Sequence, residues 1–193
     1  MKRLLCSLPV IAGSLVAVSA QAGIFTNVSV TGSLSSGATW LTSATDIDFT
    51  LPNAMVGDLS PGTTGSFTIK YDFADANPID INTLFVLGAL SGNGSIAISE
   101  TVVDINTNNV IGSFNGTLTN ASQLPFVTPV NLAPASNNIR VTKAFTLNAP
   151  NGNNLDLASV TLVEQRLSVV PEPATLTAVG LGIAAILRRR KRT

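Results

Sequence analysis

Residues 66–73 alternate without a break, with Phe67, Ile69, Tyr71 and Phe73 on one side and Ser66, Thr68, Lys70 and Asp72 on the other. Successive side chains of a strand point to opposite faces, so this segment can bury a single apolar face only as a β-strand. A helix would divide the same four apolar residues between opposite sides. Residues 139–147 repeat the pattern through Ile139, Val141, Phe145 and Leu147, interrupted by Lys143. No stretch carries a convincing 3.6-residue apolar period.

Further strands are predicted at 24–30, 46–51, 81–87, 95–105, 110–119 and 155–170, the last broken by a bulge. Turn signals separate them: Pro61-Gly62, Gly92-Asn93-Gly94, Asn108-Asn109, Asn115-Gly116 and Pro150-Asn151-Gly152. Eight or so short strands with polar turns predict an all-β fold, a single antiparallel β-sandwich or jelly-roll-like domain. A fixed internal repeat and a second-domain linker are both missing.

The two ends read differently from this body. Lys2 and Arg3 precede an apolar run from Leu4 to Val18, and Ala20-Gln21-Ala22 is an A-x-A site with cleavage expected before Gly23. Residues 1–22 are therefore expected to be a signal peptide and 23–170 a β-sandwich ectodomain. The tail 171–193 opens on Pro171-Glu172-Pro173, continues through 14 uncharged residues, 174–187, and ends on Arg188, Arg189, Arg190, Lys191 and Arg192 before Thr193. As a helix, those 14 residues rise roughly 21 Å, against about 30 Å for a hydrocarbon core. Arginine stems can snorkel and the bilayer can thin to close the gap. Five consecutive cations resist translocation, so residues 188–192 act as a stop signal with the C-terminus inside. The two prolines hold Glu172 in an extended segment ahead of the transmembrane helix, where a protease can reach it.

A Pro-Glu-Pro motif, a short hydrophobic span and a basic end in that order resemble the PEP-CTERM sorting signal of Gram-negative bacteria. The resemblance covers the last 23 residues. It implies recognition by an exosortase, a membrane-embedded cysteine protease, and release or transfer of the body to the outside, often in cells that make extracellular polysaccharide. Pro171, Glu172 and Pro173 are the sorting determinant it implies.

Composition narrows what the body can do. Its only cations are Lys70, Arg140, Lys143 and Arg166, against ten acids, a net −6. A nucleic-acid partner is not expected, because such partners need a basic footprint. The body has no cysteine and no histidine. Disulfides, His-dependent triads, Cys–His dyads and thiolate–imidazole zinc sites are thereby excluded, and only carboxylate chemistry remains.

The densest polar constellation is Asp72, Asp75, Asn77 and Asp80, oxygen donors of the kind Ca²⁺ takes in extracellular β-domains. A solvated turn whose side chains bond their own backbone is the alternative. The segment 104–109 begins like an EF-hand loop but has Asn109 where glycine is needed and Asn115 where glutamate is needed. A hairpin with a left-handed Asn explains it better. Asp46 and Asp48 share one strand face, and paired carboxylates hydrolyse glycosides at separations of roughly 5 to 9 Å. Ile47 and Phe49 buried behind a solvated face is the simpler reading. Phe67, Tyr71 and Phe73 are expected in the core. Trp40 is the one aromatic suited to stacking on sugar.

The expected protein is exported and non-enzymatic, transiently anchored in the inner membrane and then placed at the cell surface or in the extracellular matrix. Signal peptidase and exosortase would process it, and exopolysaccharide would be its partner, engaged through the acidic, hydroxyl-rich exterior or edge strands. No cofactor is expected beyond Ca²⁺. The alternatives are a carbohydrate-binding or carboxylate-dependent glycan-active sandwich, with or without calcium, and an uncleaved bitopic envelope protein.

Overall fold

The computed structural model describes residues 23–58, 60, 62–150 and 155–170. The expected signal peptide, with Ala20 and Ala22, lies outside the described residues, which begin at Gly23. So does the sorting tail, with Pro171, Glu172, Pro173, the helix 174–187 and the cations Arg188, Arg189, Arg190, Lys191 and Arg192. Among the described residues no helix is long and apolar enough to cross a membrane.

These residues form an all-β antiparallel sheet. In chain order its strands are β1 (Ile24–Thr31), β2 (Thr39–Thr42), β3 (Asp46–Thr50), β4 (Met55–Gly57), β5 (Thr64–Ser91), β6 (Ser95–Asp104), β7 (Asn109–Leu118), β8 (Phe126–Asn148) and β9 (Leu157–Val169). The hydrogen-bonded order is β2-β3-β9-β5-β8-β6-β7, with β1 beside β5 and β4 beside β9. Among the described residues a single 3₁₀ turn, Ala121–Gln123, is capped by Asn120 and Gln123 in a reciprocal box.

Two long strands decide the shape. β5 runs for 28 residues and β8 for 23. The front of β5, 64–74, pairs with the rear of β8, 138–148, while residues 81–86 pair with 126–131. The ladder shifts register at Ala74/Ile79 and again at Ile79/Ile81. The continuous sheet folds over at this break. One layer contains β1, front β5, rear β8, β6 and β7; the other contains β2, β3, β9, rear β5 and front β8. Phe49 of the second layer stacks over Tyr71 of the first, with ring centroids 6.2 Å apart. The inner faces share one core cluster.

The expected segments 66–73 and 81–87 are thus one strand rather than two. Asn77-Pro78, which reads as a break, sits in the bulged stretch, where a missing N–H costs no ladder bond. The bulge is closed by local bonds: Asn77 N–H donates to Asp75 Oδ1 at 2.8 Å, and Val170 N–H donates to Pro78 O at 2.8 Å. Asn115-Gly116, also read as a turn, lies inside β7. The alternation at 66–73 holds: Phe67, Ile69, Tyr71 and Phe73 are all at most 1% exposed. Phe67 and Phe145 are ladder partners and stack at 4.6 Å. At the Leu87/Gly88 register shift a Cβ on Gly88 would lie 1.9 Å from Ser159 O, so only glycine fits there.

Four polar side chains also point inward. Lys143, Glu100, Asn82 and Gln165 are each at most 1% exposed. Lys143 stands opposite Glu100 in the β6–β8 ladder, and its Nζ lies 2.7 Å from Glu100 Oε1. Asn82 Nδ2 donates to the same oxygen, and Gln165 Nε2 donates to Asn82 Oδ1. The chain of contacts crosses the interior from β8 and β6 of one layer to β5 and β9 of the other. Burial pushes the Lys143 ammonium down from its ordinary pKa, against the pull of Glu100.

Replacing Phe67 with Ala is expected to cost about 3–5 kcal/mol, because it removes a stacked ring from a close-packed core. The outward neighbour substitution Thr68→Ala should stay within about 0.5 kcal/mol. Urea unfolding of both variants checks the contrast; equal losses would mean that the two faces are wrongly assigned.

Candidate functional site

The outer face of the second layer collects what the inner face leaves over. Each strand there alternates, so burying Ile47, Phe49, Leu84, Val86, Val163 and Gln165 turns their neighbours outward. Cross-strand registry lines those neighbours into rows. One row runs Leu41, Asp48, Glu164, Phe85, Val127, each directly opposite the next. The next runs Asp46, Arg166, Thr83, Pro129. Leu41 is 74% exposed and Val127 56%. Between them Thr83, Phe85, Val127, Glu164 and Arg166 line an open groove of 410 Å³.

Charge on this face is unevenly satisfied. Asp48 and Glu164 are like charges directly opposite, an arrangement that opposes ionising both. Arg166 Nε donates to Glu164 Oε1 and neutralises it. Asp48 has no such partner: its Oδ1 is buried without a hydrogen bond. Burial first, then Glu164 and Asp46, hold its carboxyl above the ordinary value, and Arg166 pulls it back only in part. Asp46 is tied to its own turn, where Ser43 Oγ donates to Asp46 Oδ2 at 3.2 Å. The face therefore carries carboxyl groups, a guanidinium and an apolar ring within neighbouring strands. That set suits a ligand with hydroxyls on its rim and C–H groups on its face.

The sequence candidates fall out as follows. Asp46 and Asp48 do share a strand face, with Ile47 and Phe49 buried at 0% behind them. The carboxylate set against Asp48, however, is Glu164 of β9 as well as Asp46, and only strand pairing brings it there. Trp40 is 46% exposed on edge strand β2, on the opposite side of that strand from Leu41 and so off this face. Phe85 was hidden within the apolar run 84–87, whose two faces look alike.

Asp72, Asp75, Asn77 and Asp80 are spread along the bend of β5. Asp72 is held by Arg140, whose Nε donates to Oδ1 at 2.7 Å and Nη2 to Oδ2 at 2.9 Å, and by Asn27 Nδ2 at 2.7 Å. Asp75 accepts the Asn77 N–H, and Asp80 Oδ1 is buried without a partner. No three His, Cys, Asp or Glu side chains converge among the described residues. The segment 104–109 is the hairpin joining β6 and β7. Asp104 Oδ1 accepts the N–H groups of Asn106 and Thr107 at 2.7 and 2.9 Å, and Asn108 is left-handed at φ 58°.

Asp48 and Asp72 should respond to pH with opposite signs. The Arg140 hydrogen bonds hold Asp72 below the ordinary carboxylate value. Its stabilisation is therefore present above that value and lost as pH falls through the folded one. Asp48 is held above the ordinary value, so its charge destabilises the fold at neutral pH and this cost disappears in acid. At neutral pH Asp72→Asn should destabilise and Asp48→Asn stabilise, each by about 1 kcal/mol or less. Both differences should shrink toward about pH 2. Denaturant unfolding across that range checks both signs.

No curated protein matches this sequence. Among solved structures the chain is similar to TmCBM61, solved with β-1,4-galactotriose, at 12% identity over 72% of this chain and 88% of that one, TM-score 0.40. It is also similar to the carbohydrate-binding module CBM36, solved with calcium and xylotriose, at 15% identity over 71% and 98%, TM-score 0.30. A third likeness is the C-terminal domain of a chitobiase from Bacteroides fragilis, at 15% identity over 54% and 66%, TM-score 0.26. Overlaps this loose carry no argument about what this chain binds. The tail is another matter: residues 169–192 match the PEP-CTERM protein-sorting motif, and the C-terminal region of this chain is such a sorting signal.

Proposed function

We propose that this protein is exported and sorted through its PEP-CTERM signal and works beyond the inner membrane as a non-enzymatic surface or matrix protein. Its task is to hold exopolysaccharide on the outer face of the second layer. The sorting motif implies export and membrane passage, with signal peptidase acting before Gly23 and exosortase acting at Pro171-Glu172-Pro173. The observation that carries the binding half is the face on which cross-strand registry sets Asp48, Glu164, Arg166 and Phe85 side by side. The carboxyl groups of this face can accept sugar hydroxyls, Arg166 can donate to ring or carboxyl oxygens, and Phe85 can cover the C–H face of a sugar. An open, half-apolar groove suits a polymer better than a small molecule, which needs a deep enclosure.

One observation favours a second reading. Asp48 is held protonated longer than usual directly opposite a second carboxyl group, Glu164, the arrangement of an acid–base pair. In that case the polymer would be cleaved rather than held.

A pull-down of polysaccharide from the host's own matrix, using the mature protein, separates these readings. Phe85→Ala and Glu164→Gln are each expected to weaken retention about tenfold. Unchanged retention in both would remove this face from the reading. Shortened polymer, lost in Asp48→Asn, would favour the enzyme. Binding abolished by EDTA and restored by Ca²⁺ would add the calcium ion that Asp72, Asp75, Asn77 and Asp80 suggest from sequence.

Mass spectrometry of the mature protein tests the sorting half. It should begin at Gly23 and end near Pro171, and replacing Pro171, Glu172 and Pro173 with Ala should leave the Arg188–Arg192 end attached. An uncleaved basic end on the natural protein would favour the bitopic alternative.

A further inference from the structure

The interior chain of Lys143, Glu100, Asn82 and Gln165 contains more chemistry than a folded core needs. An amine, a carboxamide and a carboxyl group meet out of water. Lys143 Nζ and Asn82 Nδ2 both contact one atom, Glu100 Oε1, so the amine stands next to the amide. Gln165 Nε2 donates to Asn82 Oδ1, the atom on which charge would gather if the amide carbon were attacked. All four residues are at most 1% exposed. Glu100 Oε2, Gln165 Oε1 and the Tyr71 hydroxyl are also buried there without partners, and Lys143 Nζ meets Glu100 Oε1 at ion-pair distance without an aligned hydrogen bond. A buried set of this kind, half satisfied, is costly to keep as separate charges.

We propose that the folded protein closes an isopeptide bond between Lys143 Nζ and Asn82 Cγ, with Glu100 as the proton relay and Gln165 as the oxyanion donor. Lys143 first passes a proton to Glu100 across the 2.7 Å contact, leaving a neutral amine. Burial already favours that form. The Nζ lone pair attacks Cγ of Asn82, and the C=O π pair moves to Oδ1, which Gln165 stabilises. Glu100 returns a proton to Nδ2 and takes one from Nζ. The carbonyl then reforms, the Cγ–Nδ2 bond breaks, and ammonia leaves. One C–N bond forms and one breaks; no oxidant, reductant or metal takes part. The proton first moved stays on Glu100 or departs with ammonia as ammonium.

The link would join β8 of one layer to rear β5 of the other. It would give a covalent cross-tie to a body that has no cysteine to make a disulfide. Like a disulfide closing a long loop, it would restrict the unfolded chain between residues 82 and 143.

Intact mass of the mature protein, purified from its host and measured under denaturing conditions, tests this. The expected mass is the sequence mass less one ammonia, with proteolysis yielding a branched peptide that joins the Asn82 and Lys143 segments. The full sequence mass with both peptides linear would overturn the proposal. A missing ammonia located at the N-terminus instead of at residues 82 and 143 would do the same. Glu100→Gln and Lys143→Arg should both restore linear peptides, and the wild-type measurement decides even if neither variant folds. A branched peptide persisting in Glu100→Gln would remove Glu100 from the role of relay.

Discussion

The contact between Lys143 and Glu100 is the point on which the architecture turns. Each residue occupies an inward position of its strand, flanked by Val141 and Phe145 on β8 and by Ile98 and Val102 on β6. Neither side chain can leave the interior without a one-residue slip of its strand, which would expose the whole apolar face. Before any link closes, removing either partner alone would strand the other out of water, a penalty of about 3–5 kcal/mol for a charged pair. The pair therefore fixes the register of β6 on β8. Through Asn82 and Gln165 it also fixes how the second layer sits over the first. Burial of apolar area drives the layers together but is indifferent to their exact placement; the polar chain supplies the direction.

Inner and outer faces divide the work. The inner face specifies one structure and is closed to solvent. The outer face of the first layer is mostly Ser, Thr and Ala: Thr68, Ala144 and Ser99 form one cross-strand row, and Ser66, Thr146 and Ala97 another. The outer face of the second layer is different in kind, carrying Leu41, Phe85 and Val127 around Asp48, Glu164 and Arg166. The bend at residues 74–81 makes this possible, because one strand, β5, serves both layers and presents Thr68 and Lys70 on one exterior and Thr83 and Phe85 on the other. One exterior is thus mostly small and hydroxyl-bearing, the other chemically mixed.

Much of this was legible in the chain. Alternation placed Phe67, Ile69, Tyr71 and Phe73 correctly, because period two admits one solution. The tail was legible because its three features lie in consecutive residues. What escaped has a common cause: it depends on which strand lies beside which. Lys143 looked like an interruption because its partner, Glu100, belongs to another strand. Asn82 and Gln165 are short of signal for the same reason. The run Leu84-Phe85-Val86-Leu87 is apolar on both faces, so only the sheet reveals that Phe85 points out. The stretch from Asp72 to Asp80 reads as a strand end with a calcium site or a solvated turn because local propensity is blind to a bulge that a long-range ladder tolerates. Strands β2 and β4 are too short to show any period.

Segment-resolved hydrogen exchange under native conditions tests most directly whether the polar chain makes the two layers one unit. The account predicts that amides of 66–73, 82–87, 96–102, 139–147 and 160–167 open together, at a single free energy equal to that of global unfolding. Exchange of 82–87 and 160–167 through a separate, cheaper opening, while 96–102 and 139–147 stay protected, would contradict it.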